Sequence, residues 1–317
     1  MIAIIIVHTG KSYYLKPIIE QARIYNPNTA IYLISDSSTK SLEVNDLCTH
    51  INIEEYKNSA NRFKEIYTHK SSNSYEFELF CFMRWFIIRD FVLENSIESF
   101  VCIDSDFLLF DEVDKFLTPF LEKDFTICDE CLPNCTLFSD SSIQKFCAFI
   151  ESMYLNPKIV NELDAVFANY KLSGELGGIC DMTAFTWYQK YNSNTTANIS
   201  IPHNGVAVDD CYYKSSGYCI DKKSKQLIVG RIPKLILWKN DLPYGIYENN
   251  NELVRFAGIH LQGGAKRIIY KFLVDKNKKR KNGFFYTISW LLKPQIFNYR
   301  IKRVINKIKL IIENNIR

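Results

Sequence analysis

The stretch that decides the fold is Phe100 to Phe110, "FVCIDSDFLLF". An apolar run leads into Asp104 and Asp106, and a second apolar run follows at once. A short apolar run of this kind reads as a buried strand. The two carboxylates therefore stand at the carboxyl end of a strand. No Lys or Arg lies within the stretch to pair with them. Two uncompensated acids beside a core are costly, so a cationic group from elsewhere has to meet them.

The neighbouring segments set that strand in a sheet. Upstream, "YEFELFCFMRWFIIRDFVLEN" is a long, strongly apolar helix that feeds it through a short turn. At the start of the chain "IAIIIV" reads as a buried strand, "YLKPIIEQARIYN" as an amphipathic helix and "AIYLIS" as a second strand. Strand, helix and strand in that order predict an α/β fold, a mainly parallel sheet with helices on both faces. Downstream, "DFTIC" continues the strands, while "SSIQKFCAFIESMYL" and "PKIVNELDAVFANY" have helical spacing. "YNSNTTANIS" reads as an exposed polar loop, and "RFAGIHLQGGAKRII" as a late strand followed by a glycine-bearing loop. In open α/β sheets ligands collect outside the carboxyl ends of the strands. Asp104 and Asp106 are thus expected to point into a crevice.

Composition bounds the classes. The 317 residues are 47% hydrophobic and 14% aromatic, enough for a large core and too apolar for a disordered chain. "MIAIIIVHTG" has neither a basic leader region nor a small-residue cleavage site, and its apolar run is too short for a membrane span. A cytoplasmic location is therefore expected, with the ten cysteines as reduced thiols. Cys128, Cys131 and Cys135 in "CDECLPNC" offer three zinc ligands but no fourth at standard spacing, so free thiols at a strand-to-loop junction is the reading preferred. Charge is unevenly placed. Residues 271–317 hold 13 Lys/Arg against 2 Asp/Glu, which leaves the preceding part at −7 within a chain of net +4. This break divides a body, 1–270, from a basic extension, 271–317. In the extension, 295–316 sets Phe297, Ile301, Val304, Ile305, Ile308, Ile311 and Ile312 at three- and four-residue spacing with Lys and Arg mostly on the other side. That pattern is a basic amphipathic helix suited to an anionic membrane surface, with packing against the body as its rival. The acidic body and the lack of a recognition motif argue against nucleic acid.

A D-x-D at a strand end suits a hard divalent cation held against a diphosphate. In "GIHLQGGAK", His260, Gly263 and Lys266 supply an H-x-x-G-x-x-K pattern after the late strand. An imidazole can be a third metal ligand, a glycine lets backbone approach phosphate oxygens, and an ammonium neutralises them. A turn glycine beside a surface lysine is the plainer alternative for that segment alone.

Taken together, these motifs resemble the GT-A-fold glycosyltransferases, which use nucleotide-sugars and a metal-binding D-x-D. The aromatic-x-Arg of "FMRW", the D-x-D and the H-x-x-G-x-x-K are similar to those of the retaining family of glycogenin and the bacterial lipopolysaccharide galactosyltransferases. The resemblance spans roughly residues 1 to 270. It departs from the family where Arg267 and Ile268 follow the lysine in place of Pro-Trp, and where the first strand ends without the usual acid. It implies that Asp104, Asp106 and His260 bind Mn²⁺ (or Mg²⁺). It also implies that Ser105 lies beside the ribose, Arg84 near the donor, and Gly263 and Lys266 at the diphosphate. A uridine diphosphate sugar as donor and a glycan or lipid-linked glycan as acceptor are further implications.

At the exit of the first strand, His8 and Thr9 are candidates to bond the base, with a helix-capping loop as the alternative. Asp36 in "LISDSS" either bonds the nucleoside or caps its own turn. Asp181 in "GELGGICDMTAF" is a candidate catalytic carboxylate facing the sugar or acceptor, a helix N-cap, or both at once. Asp209 and Asp210 in "AVDDCYY" read as caps. Two other classes fit a D-x-D. A haloacid-dehalogenase-type phosphatase normally carries its acid on the first strand, and a cation-dependent carbohydrate-binding protein would transfer nothing.

Overall fold

β1 (Ala3–His8) shows why the sheet has two covered faces: Ile4 and Ile6 enter one core cluster, and Ala3 and Ile5 enter the other. Every second side chain of a strand points the same way, so a strand apolar throughout needs a layer on each side. The computed structural model describes residues 1–281 except 43, 45, 130, 131, 193 and 223–231. The 295–316 segment lies outside the described residues.

The order continues through α1 (Leu15–Tyr25), β2 (Ile31–Ser35), β3 (Thr49–Asn52), α2 (Asn58–Ile66) and α3 (Tyr75–Glu94). β4 (Ser99–Ile103), β5 (Phe107–Leu109), α4 (Val113–Leu117), β6 (Phe125–Ile127) and β7 (Cys135–Ser139) follow. Then come α5 (Asp140–Leu155), α6 (Pro157–Ser173), α7 (Asp181–Tyr191), β8 (Thr196–Asn198) and β9 (Val206–Val208). β10 (Leu237–Lys239), β11 (Leu242–Tyr247) and β12 (Glu252–His260) close the strand series, and a 3₁₀ helix covers Gly263–Lys271.

The main sheet runs β3-β2-β1-β4-β7-β6-β8. β3, β2, β1 and β4 are mutually parallel, β7 is antiparallel to both β4 and β6, and β8 is parallel to β6. The chain is thus an α/β protein with a mostly parallel sheet, as its strand–helix order predicts. A second sheet, β10-β11-β12-β5, is antiparallel along its path, and β9 joins β12 in parallel. The sequence gives little warning of this second sheet. Gly258 makes its closest approach possible, since a Cβ there would lie 2.1 Å from the Phe107 ring.

α3 carries apolar residues around most of its circumference and is correspondingly buried on one face of the main sheet. Ser74 starts it, its hydroxyl accepting from the Phe77 amide. α1 covers the opposite face with the second sheet. "YNSNTTANIS" is not simply an exposed loop: Thr196–Asn198 pair with β6 as β8, and Ile199 and Ser200 are buried. Pairing with an open sheet edge overrides the polar composition there. The glycine-bearing segment after β12 is likewise helical, with Ala265, Ile268, Ile269 and Tyr270 buried. Phe272, Leu273 and Val274 continue into the same core, and the Val274 amide donates to Gln21 Oε1 at 3.2 Å. Among the described residues no helix is long and apolar enough to cross a membrane.

Candidate active site

β4 ends at Ile103 and β5 begins at Phe107, so Asp104 and Asp106 fall in the turn between two strands that belong to different sheets. The turn is fixed by its backbone. The Asp104 amide donates to the Asn134 carbonyl at 3.0 Å, and the Leu261 amide to the Asp106 carbonyl at 3.0 Å. The second bond ties the end of β12 to this turn, and so places His260 beside it. Asp104, Asp106 and His260 each offer a ligand atom, all within 4.8 Å of one another. His260 Nε2 lies 3.2 Å from Asp106 and 3.8 Å from Asp104.

The protein supplies cations to both acids, which answers the question raised by their sequence. Arg84 donates to Asp104 at 2.8 Å and to Asp181 at 2.7 Å. Lys266 lies 3.0 Å from Asp106, with its ammonium 5.0 Å from the centre of the Tyr14 ring. These contacts divide the acids. Burial raises Asp104 above the usual carboxylate range, and the neighbouring Asp106 adds to this against the pull of Arg84. Burial also acts on Asp106, but His260 and Lys266 outweigh it and hold that carboxyl well below its usual range. Burial would lower His260, yet the two carboxylates, Asp106 first, carry it up to about 9. A proton is drawn to the place between two acids where a divalent cation would compete for it.

The other nitrogen of His260 is also committed. Nδ1 lies 2.6 Å from the Asp210 carbonyl oxygen. A carbonyl only accepts, so Nδ1 carries a proton whatever the charge of the ring, and Nε2 is the nitrogen that gives up its proton to offer a lone pair to a cation between the acids. Two carboxylates and one such imidazole fit a Mn²⁺- or Mg²⁺-type site.

A cleft of about 940 Å³ opens over this group. Its lining includes His8, Thr9, Arg84, Ser105, Lys266 and Asp181 with the three candidate ligands. His8 Nδ1 lies 2.9 Å from Ser105 Oγ, while its Nε2 is buried without a partner. Burial, then the nearby Lys266, lowers the His8 pKa and favours the neutral ring. Neither His8 nor Thr9 caps α1, which begins at Leu15 without a side-chain cap.

Two sequence candidates are not lining residues. Asp36 is a turn cap: it accepts from the Ser38 amide at 2.9 Å, and from the Gly10 amide at 3.0 Å it steadies the exit loop of β1. Gly263 starts the 3₁₀ helix at φ +58°, and no atom lies within 4 Å of where its Cβ would be. Its requirement is backbone conformation rather than close approach.

Asp181 is not the N-cap. Cys180 occupies that position in a capping box with Thr183, and Asp181 is the first residue of α7. Its buried Oδ2 accepts from Arg84 and, at 3.2 Å, from Trp85 Nε1. Nor do Asp209 and Asp210 act as caps. Their carboxylates, with no exposed surface, bind the ammonium of Lys234. Sequence spacing pairs neither acid with a lysine 25 and 24 residues away.

Cys128 and Cys135 are buried free thiols, and burial raises both. Cys131 lies outside the described residues. Among the described residues Asp104, Asp106 and His260 are the one metal-competent cluster. The site role of Asn134 was missed by sequence reasoning, which read "CDECLPNC" for its thiols and for a glycosylation sequon without a secretory route. Its amide nitrogen donates to the Asp210 carbonyl at 2.7 Å and lies 2.9 Å from His260 Nδ1.

No protein-family profile and no curated protein matches the chain. Solved structures do. Mouse xyloside xylosyltransferase 1 aligns at 11% identity and a TM-score of 0.44, covering 63% of this chain and 85% of that one. A cytidylyltransferase from Leptospira borgpetersenii aligns at 11% and 0.31, covering 50% and 70%. The glycosyltransferase GlyE of Streptococcus pneumoniae aligns at 13% and 0.32, covering 62% of this chain and 44% of its own. At TM-scores this low the likenesses add nothing to what the site's geometry supports.

Proposed function

We propose that this chain is a metal-dependent glycosyltransferase. It would move a sugar from a nucleoside diphosphate sugar, in the first instance a uridine diphosphate sugar, to a glycan or lipid-linked glycan in surface polysaccharide synthesis. One observation carries the reading. Two carboxylates, an imidazole and an ammonium from separated segments meet at the carboxyl end of β4, under a cleft large enough for a nucleotide-sugar.

Asp104, Asp106 and His260 would hold the cation, with Mn²⁺ serving at least as well as Mg²⁺ because of the nitrogen ligand. When bound, such a cation supplies Lewis-acid neutralisation of the leaving diphosphate. Lys266 adds positive charge from the Asp106 side, which stabilises the negative charge that grows as the anomeric bond breaks. His8, Thr9 and Ser105 form the nucleoside end of the cleft, where the unpartnered His8 Nε2 suits a base or ribose hydroxyl.

Arg84 and Trp85 both hold Asp181 through Oδ2, and among the described residues Oδ1 has no hydrogen-bond partner. That oxygen suits a sugar or acceptor hydroxyl. In an inverting reaction Asp181 would take the acceptor proton. In a retaining one the departing phosphate would take it, and Asp181 would only orient the sugar. The 271–317 extension is proposed to bind the anionic inner face of the cytoplasmic membrane, where a lipid-linked acceptor would be met.

The test is product formation from a panel of nucleotide-sugars, with and without Mn²⁺, read as released nucleoside diphosphate. Metal-dependent release from a uridine diphosphate sugar supports the reading. Binding without any turnover would support a carbohydrate-binding protein instead.

A further inference from the structure

We infer that Lys234 is a positioning residue for His260, acting through the Asp209–Cys211 turn; the inference rests on the metal-dependent reading above. Lys234, Asp209 and Asp210 have side chains with no exposed surface. The ammonium donates to both carboxylates and to the Cys211 carbonyl at 3.1 Å. The turn is therefore folded around one buried charge.

The same turn is bonded to the end of β12. The His260 amide donates to Asp209 Oδ2 at 3.2 Å, and the Tyr212 amide to the His260 carbonyl at 3.1 Å. The Asp210 carbonyl receives His260 Nδ1–H at 2.6 Å and Asn134 Nδ2–H at 2.7 Å. The Asn134 carbonyl in turn accepts from the Asp104 amide. One carbonyl oxygen thus sets the tautomer of His260 and connects it to the segment carrying Asp104. Lys234 holds the residues that present that oxygen.

Stability alone does not account for the cluster. A buried ion group is generally no more stabilising than an apolar set of the same volume, and here one ammonium faces two carboxylates. The distinctive output is orientation: with Nδ1 occupied, Nε2 points at Asp104 and Asp106. Partners of this kind behind a metal-binding histidine typically alter metal affinity by about 10- to 100-fold.

The experiment titrates the full chain with Mn²⁺ and follows it by electron paramagnetic resonance, using pulsed echo measurements to detect the nitrogen of a bound imidazole. Wild type is compared with Lys234→Met and with the charge-neutral triple variant Lys234→Met, Asp209→Asn, Asp210→Asn, which remains readable if the single variant does not fold. His260→Ala is the control for loss of the nitrogen signal. A folded variant that binds Mn²⁺ about 10- to 100-fold more weakly, with a diminished nitrogen signal at saturation, supports the inference. A lowered melting temperature with unchanged affinity and signal overturns it and leaves Lys234 merely structural. Failure of wild type to bind Mn²⁺ or to show the nitrogen signal overturns the metal reading itself, a separate result.

Discussion

Asp104 and Asp106 face a cleft of about 940 Å³, whereas Asp209 and Asp210, on the opposite side of His260, are sealed around Lys234 with no exposed surface. Both are pairs of acids beside the same imidazole. The sealed pair has a dedicated ammonium and a fixed geometry. The open pair shares its cations: Arg84 divides itself between Asp104 and Asp181, and Lys266 reaches Asp106 from the cleft side. Shared partners can be redistributed when a ligand enters, and a buried ion group cannot. The open pair is thus suited to chemistry and the sealed pair to holding the frame of that chemistry.

The largest effect should separate the pairs. Asp104→Ala or Asp106→Ala should reduce transfer by more than about a hundredfold, since a catalytic cation contributes several kcal/mol. The melting temperature should fall only moderately, because the cations left behind face the open cleft or, for Arg84, keep Asp181. Initial-rate assays paired with thermal melts check this, and a large drop in melting temperature would merge the two pairs into one structural unit. Lys234→Ala should behave in the opposite way. It strands two buried carboxylates at a cost of roughly 3–5 kcal/mol, read as a fall in the denaturant midpoint. A midpoint equal to wild type would mean that the sealed cluster does not hold the fold.

Arg84 lies between the two behaviours. Arg84→Lys keeps the charge but loses the fork that spans Asp104 and Asp181. Activity should fall about tenfold, with a small loss of stability. Restoration of full activity by lysine would mean that the bridge between the acids is not used. Lys266 is part exposed and belongs to the open side alone. Lys266→Ala should lower kcat about tenfold at saturating donor without shifting the melting temperature. The smallest effect on catalysis belongs to the extension. A chain ending at Lys281 should turn over a soluble donor like the full chain, yet fail to float with anionic vesicles at low salt. The full chain should float, and should detach at high salt. Equal flotation of the two would leave the extension as a packing element.

Much of the fold was legible because its signals are local. "IAIIIV" and "FVCI" are apolar on both faces, and α3 is apolar around most of its circumference; each pattern requires burial whatever its neighbours. The second sheet was not legible, since it depends on β5 and β12 meeting across some 150 residues. β8 was hidden for a related reason: pairing with β6 makes a strand of residues whose composition reads as loop. In the site, the D-x-D and H-x-x-G-x-x-K patterns were visible as spacing. The roles of Asn134, the Asp210 carbonyl and Lys234 were not, because a carbonyl has no letter in a sequence. Ionic partners 24 and 25 residues apart leave no periodicity. Asp181 was found for its acid, with capping left open beside a site role; the cap is Cys180, and Asp181 is the first residue of α7.

The most direct measurement is calorimetric titration of uridine diphosphate into wild type and Asp106→Ala, each with Mn²⁺ and with excess chelator. Binding to wild type is expected only when Mn²⁺ is present, and none to the folded Asp106→Ala chain under either condition. Equal affinity in chelator, or undiminished metal-dependent binding by Asp106→Ala, would contradict it.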